Sequence, residues 1–124
     1  MKKILIADDS KLVRAVLKDA IKKNGYEVIE AENGKIAYNL AIEELPDLVI
    51  LDLVMPECDG FETTRKIRTD TRIKHIPILI STGSEGVHCE FNKDTETFIH
   101  GFLEKPYKTE VIIEKIKGLL GENK

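Results

Sequence analysis

Leu48-Val49-Ile50-Leu51-Asp52 is the stretch on which the fold turns. Four branched apolar residues in a row, with no polar alternation, describe a strand covered on both faces. Strands of that kind belong to parallel sheets flanked by helices. Four further short runs share the character: Lys3–Ala7, Tyr26–Ala31, Ile76–Ile80 and Ile99–Leu103. Segments of helical period separate them. Lys11–Lys23 predicts a helix with Leu12, Val13, Val16, Leu17, Ala20 and Ile21 on one buried stripe. Ser10 would cap its start and Asn24-Gly25 would stop it. Asn33 would cap a second helix running to about Glu44, closed by Pro46. Phe61–Arg68 reads as a third helix. Thr109–Leu120 reads as a fifth, capped by Thr109 and burying Val111, Ile112, Ile113, Ile116, Leu119 and Leu120. Between the fourth and fifth strands, Gly83–Phe98 carries a poor helical stripe, but by alternation a fourth helix belongs there, and a short or mobile one is expected. Alternating strands and helices predict an α/β fold, a doubly wound (βα)5 arrangement around a five-stranded parallel sheet.

The whole chain, residues 1–124, reads as one domain, long enough to bury a core without disulfide or metal staples. A formal net charge of −3 provides no basic field for nucleic acid. No apolar run approaches the length of a membrane span. The apolar stretch after Met1 is short and stops at two carboxylates, which argues against a signal peptide. Cys58 and Cys89 form no metal or redox motif, and reduced thiols in a cytoplasmic protein are expected. His75, His88 and His100 have no ligand-like spacing.

The chemistry gathers at the carboxyl ends of the predicted strands. Asp8 and Asp9 end the first, Asp52 the third, Ser81 and Thr82 the fourth, and Lys105 follows the fifth. In open α/β sheets ligands bind outside these ends. Three carboxylates in one small cleft repel one another by several kcal/mol at an effective dielectric near ~20. A hard divalent cation relieves that repulsion, and Mg²⁺ commonly sits on one or two carboxylates plus phosphate oxygens. Lys105 adds an ammonium and Thr82 a hydroxyl. Together with the cation they would serve the three equatorial oxygens of a transferring phosphoryl group. Asp52, on the central strand, is the expected nucleophile, forming an aspartyl-phosphate.

These residues resemble the CheY-like response-regulator receiver family. The resemblance is carried by Ile4-Leu5-Ile6-Ala7-Asp8-Asp9-Ser10, Asp47 through Pro56, Asp59-Gly60, Pro77-Ile78-Leu79-Ile80-Ser81-Thr82 and Phe102-Leu103-Glu104-Lys105-Pro106. It spans essentially the whole chain in register. It implies a flavodoxin-like sheet of strand order 2-1-3-4-5, an order taken from the resemblance. It also implies a two-component phosphorelay function: Asp52 as phosphoacceptor, with Thr82 and Lys105 contacting the phosphoryl oxygens. Mg²⁺ would be held by Asp9 directly, Asp8 largely through water, Asp52, and the backbone carbonyl of Val54. The Lys105–Pro106 bond would be the family's cis peptide, and Thr82 with Phe102 the switch pair. The phosphodonor would be a sensor histidine kinase, a phosphotransfer protein or a small acyl phosphate. The output would be a downstream protein or a second copy of the chain, bound on the face of the fourth helix, fifth strand and fifth helix. Such a domain is a signalling switch rather than an enzyme, catalysing only its own phosphorylation and slow dephosphorylation. Val54 and Ser84 stand where many members carry polar residues that tune hydrolysis, and Thr97-Phe98-Ile99 replaces a small-residue stretch before the fifth strand.

Two rival functions have sequence tests. A haloacid dehalogenase-type aspartate phosphatase or phosphotransferase needs two aspartates flanking one residue, whereas Asp8 and Asp9 are adjacent. A flavodoxin-like electron carrier needs a Ser/Thr/Gly-rich phosphate loop where Asp8-Asp9 would repel a flavin phosphate. Plainer roles exist for single residues: Asp8-Asp9-Ser10 as a helix cap, Asp59-Gly60 as a turn, Phe102 as core.

Overall fold

The computed structural model describes residues 1–55, 59–83, 91–105 and 107–121. Five strands, β1 Lys3–Ala7, β2 Glu27–Ala31, β3 Leu48–Asp52, β4 Ile78–Thr82 and β5 Gly101–Glu104, form one parallel sheet. Their order is β2-β1-β3-β4-β5, the order expected. Among the described residues four α-helices accompany them: α1 Lys11–Lys23, α2 Gly34–Glu44, α3 Gly60–Arg68 and α4 Thr109–Leu119. The fold is flavodoxin-like.

The two faces of the sheet are sealed separately. Alternate residues of β1, β3 and β4 (Leu5, Val49, Leu51, Ile78 and Ile80) pack with Ala37 and Ala41 of α2 and Ile67 of α3. The residues between them (Ile4, Ile6, Ile50 and Leu79) pack with Leu17 and Ile21 of α1 and Ile112 and Ile116 of α4. This is the strand alternation that the continuous apolar runs required. Burying each of the leucine, isoleucine and valine side chains fully contributes about 1.5–3 kcal/mol.

Local signals set the helix ends. The Ser10 side chain accepts a hydrogen bond from the Val13 amide at 3.2 Å, and that of Asn33 from Ile36 at 2.8 Å. After α1 the chain turns through Gly25 at φ +92°, a left-handed conformation that glycine adopts without penalty. α2 ends on Leu45, at φ 49°, immediately before Pro46. Helical conformation is disfavoured before proline, so the chain leaves the helix there.

Three expectations need correction. Thr109 does not cap α4; the cap position is Lys108, without a side-chain cap bond, and Thr109 is the first helical residue. The stripe of α1 is narrower than predicted: Leu17 and Ile21 are buried, but Leu12 is 74% and Val16 49% exposed. Those two lie one residue, about 100° of helical turn, round from the Val13–Leu17–Ile21 line that meets the sheet. On α4, Val111 is likewise exposed. The predicted fourth helix falls partly on residues 84–90, outside the described residues; residues 91–98 hold only a 3₁₀ turn, Thr95–Thr97, capped by Asp94. Among the described residues no helix is long and apolar enough to cross a membrane.

Candidate functional site

The parallel register sets the strand tips side by side. Ala7 pairs with Leu51, Asp52 with Ser81, and Thr82 with Glu104. The residue after β1 (Asp8), the last of β3 (Asp52), the last two of β4 and the residue after β5 (Lys105) therefore share one end of the sheet.

Carboxylate oxygens of Asp8, Asp9 and Asp52 all lie within 4.8 Å of one another. Asp8 is 1% exposed and Asp52 6%, while Asp9 faces solvent. Two full negative charges at such a separation repel by about 3 kcal/mol at an effective dielectric near ~20. Lys105 relieves part of this: its Nζ stands 3.2 Å from Asp52 Oδ1 and 3.5 Å from Asp8 Oδ2. Burial, then the charge of Asp8, push the Asp52 carboxyl above its ordinary value, and Lys105 offsets only part of that. Burial draws the Lys105 ammonium downward, but the carboxylates of Asp52 and Asp8 outweigh it and hold the group above its ordinary value.

Asp8 is held from several sides. Its Oδ1 accepts from the Ser10 amide at 2.8 Å, its carbonyl accepts from Arg14 Nη1 at 2.6 Å, and its amide donates to Ala31 O at 3.1 Å. Its Oδ2 is buried and makes no hydrogen bond. A buried carboxylate oxygen left without a hydrogen-bond donor, in an all-oxygen cluster, suits a hard cation, which the donor set of Asp8, Asp9 and Asp52 can hold. Among the described residues this is the one group of His, Cys, Asp and Glu side chains so placed.

The remaining expected residues fall around this cluster. Thr82 is buried, and its carbonyl accepts the Lys105 amide at 3.0 Å. Val54 is 76% exposed, two residues beyond Asp52. Phe102 is half-buried and packs edge-on against Phe91, ring centroids 5.8 Å apart. Phe102 pairs with Ile80 in the β4–β5 register, so Phe102 and Thr82 share the sheet face that α2 and α3 cover. The alternation places Asp52 and Ser81 on the opposite face, with Ile50 and Leu79. Pro106, and with it the Lys105–Pro106 peptide, lies outside the described residues, as do Ser84, His88, Cys58 and Cys89. His75 and His100 stand apart from the acids; His100 Nδ1 accepts from the Ile78 amide at 3.3 Å.

Sequence reasoning missed two contributors. Asp59-Gly60 is more than a turn. Asp59 caps α3 by accepting from Glu62 at 2.8 Å, and a β-carbon at Gly60 would come 2.6 Å from the Asp52 carbonyl oxygen and 2.9 Å from Leu53 Cα. Glycine is what allows α3 to start against the backbone of the acid-bearing strand, and the Gly60 amide donates to Leu53 O at 2.9 Å. The second is Tyr107, whose hydroxyl shares a hydrogen bond with Ser81 Oγ. Burial pushes its phenol above the ordinary value, and Lys105, Asp8 and Asp52 all act on it.

A parallel α/β sheet with clustered acids and a lysine at its carboxyl edge can present a carboxylate to an incoming phosphoryl group. The comparison with known proteins agrees. The response regulator receiver domain family matches residues 4–117, and the chain belongs to that family. It is 35% identical over 123 residues to chemotaxis protein CheY1 of Helicobacter pylori, covering 98% of both chains. It is 37% identical over 117 residues to histidine kinase P4 of Formosa agariphila; the match takes in 94% of this chain and 8% of that much longer protein. In structure it is similar to the receiver domain of sensor histidine kinase PA1611 from Pseudomonas aeruginosa. The TM-score is 0.86 at 23% identity, covering 97% of this chain and 98% of that one. The chain is thus a CheY-like receiver, a signalling switch; neither the phosphatase nor the electron-carrier reading is supported.

Proposed function

We propose that Asp52 is the phosphoacceptor and that Asp8, Asp9, Asp52 and the Val54 carbonyl hold Mg²⁺ beside it. The observation that carries this reading is the position of Lys105 Nζ, 3.2 Å from Asp52 Oδ1 and 3.5 Å from an Asp8 oxygen that makes no hydrogen bond, within a trio of acids. The P. aeruginosa receiver domain, of the same fold, was determined with a magnesium ion coordinated in its active-site cleft. Mg²⁺, when bound, neutralises charge on the acids and on the incoming phosphoryl oxygens.

The residues of the chain divide the work. An Asp52 carboxylate oxygen attacks phosphorus; the new O–P bond forms as the bond to the donor's leaving group breaks, and the electron pair departs with that group. Lys105 already lies against Asp52 and supplies hydrogen-bond donors to a phosphoryl oxygen. The Thr82 hydroxyl serves another. The acyl-phosphate product is lost slowly by attack of water, and the exposed side chain at position 54, a valine, offers that water no hydrogen bond.

The donor is a histidine kinase, a phosphotransfer protein or a small acyl phosphate. The apolar side of α1 exposed by Leu12 and Val16 begins at the cleft mouth, next to Asp9, and suits the docking of a donor helix. Phosphorylation draws Thr82 toward the phosphoryl group and Phe102 into the space it leaves. That biases a two-state equilibrium on the face of β5 and α4, where a downstream protein or a second copy binds.

The test is incubation with acetyl phosphate and Mg²⁺ followed by intact-mass measurement. Wild type should gain one phosphoryl group, with none in Asp52→Asn or with chelator. An adduct retained in Asp52→Asn would remove Asp52 as the acceptor.

A further inference from the structure

We propose that Tyr107 is a positioning residue for phosphoryl transfer: its hydrogen bond to Ser81 fixes the segment carrying Lys105 against the tip of β4, and so sets where the ammonium stands over Asp52. This rests on the reading of Asp52 as phosphoacceptor.

Ser81 is the junction of three elements. It sits opposite Asp52 in the β3–β4 register, and its carbonyl accepts the Leu53 amide at 2.9 Å, tying down the chain just past the acid. The carbonyl of the next residue, Thr82, accepts the Lys105 amide at 3.0 Å. The Ser81 hydroxyl then meets the Tyr107 hydroxyl, two residues beyond Lys105. Lys105 is thereby gripped on both sides along the chain, once through its own amide and once through Tyr107, and both grips end on the same dipeptide of β4.

The pair is costly without a purpose. Ser81 is 1% exposed, and Tyr107, half-buried, packs against the apolar layer that includes Ile50, Leu79 and Leu103. A serine hydroxyl buried there is unfavourable without a partner; Tyr107 supplies one, which a phenylalanine filling the same space would not. Lysine is a point charge on a flexible four-carbon stem, so its placement depends on where its backbone is fixed. Donors preset at the position of developing charge accelerate the chemical step. A donor that wanders loses rate without weakening a metal site built from other residues.

The experiment compares Tyr107→Phe, Ser81→Ala and both together, with acetyl phosphate as donor at saturating Mg²⁺. Maximal phosphorylation rate is read by quenched intact mass, Mg²⁺ affinity by calorimetry, and melting temperature as the folding control. Each single variant should slow the maximal rate 3- to 10-fold with Mg²⁺ affinity within 2-fold of wild type, and the double variant should be no slower than the worse single. In a Lys105→Met background, Tyr107→Phe should change the residual rate less than 2-fold, because the residue it acts through is gone. A Tyr107→Phe rate equal to wild type would overturn the proposal. So would an undiminished Tyr107→Phe effect in the Lys105→Met background, or rate and Mg²⁺ affinity falling together. If Ser81→Ala does not fold, Tyr107→Phe in the two backgrounds decides alone. If wild type itself takes no phosphoryl group, it is the assignment of Asp52 that fails.

Discussion

Gly60 lies directly against the backbone of Asp52: any side chain there would begin 2.6 Å from the Asp52 carbonyl oxygen. The obstacle is main chain at the tip of a central strand, which cannot swing aside as a side-chain end can. Gly60→Ala should therefore cost about 1–3 kcal/mol, the range for overpacking a tight site. Because the strain falls on the strand end carrying Asp52, it should also slow phosphorylation. Urea denaturation and the acetyl phosphate reaction, run on the same sample, check both effects.

Lys105→Met should separate catalysis from metal binding. Removing an ammonium 3.2 Å from Asp52 and 3.5 Å from Asp8 leaves the acids more negative, so Mg²⁺ should bind at least as tightly as in wild type. The phosphorylation rate should nevertheless fall about 100-fold or more, the usual effect of deleting a donor to developing charge. Calorimetric Mg²⁺ titration and single-turnover phosphorylation give the two numbers.

Leu12→Asp and Val16→Asp change exposed residues of α1 and should shift folding stability by no more than about 0.5 kcal/mol. Phosphorylation by acetyl phosphate should be unchanged, while transfer from a phosphohistidine protein should slow. Equal slowing with both donors would place donor docking elsewhere on the surface.

Asp70 gives a pH-dependent signature remote from the cleft. Hydrogen bonds from the Arg72 guanidinium and the Tyr38 hydroxyl hold its carboxyl far below the ordinary 3.8. A depressed acid stabilises the fold above its unfolded value, and that stabilisation is lost as pH falls through the depressed one. Asp70→Asn should thus lower the melting temperature at pH 7. The gap between mutant and wild type should narrow progressively below about pH 4. A constant gap down to pH 2 would contradict the linkage.

Much of this was legible in the chain because the decisive signals are local. Four apolar residues before Asp52 make a two-sided strand wherever they occur, Ser10 and Asn33 cap the helices that follow them, and an acid at a strand tip lands at the sheet edge by topology. What was not legible depends on partners distant in sequence. Nothing near Gly60 announces that the Asp52 carbonyl will press on it. Nothing in a tyrosine after Lys105 announces a serine 26 positions earlier. On α1, six apolar residues fit one stripe on paper, but the sheet takes up only the line through Leu17 and Ile21. The cap of α4 was misread for a smaller reason: a threonine at a helix start can be the cap or the first residue inside, and only the backbone angle of Lys108 distinguishes them.

The two sides of the sheet hold different members of the proposed site. Asp52 belongs with the layer under α1 and α4, Thr82 and Phe102 with the layer under α2 and α3. The proposed acceptor and the proposed switch pair thus root on opposite faces of the sheet and meet at the strand tips. A covalent change at Asp52 would therefore reach the other layer along one edge, where Thr82 stands, and not through the packed interior.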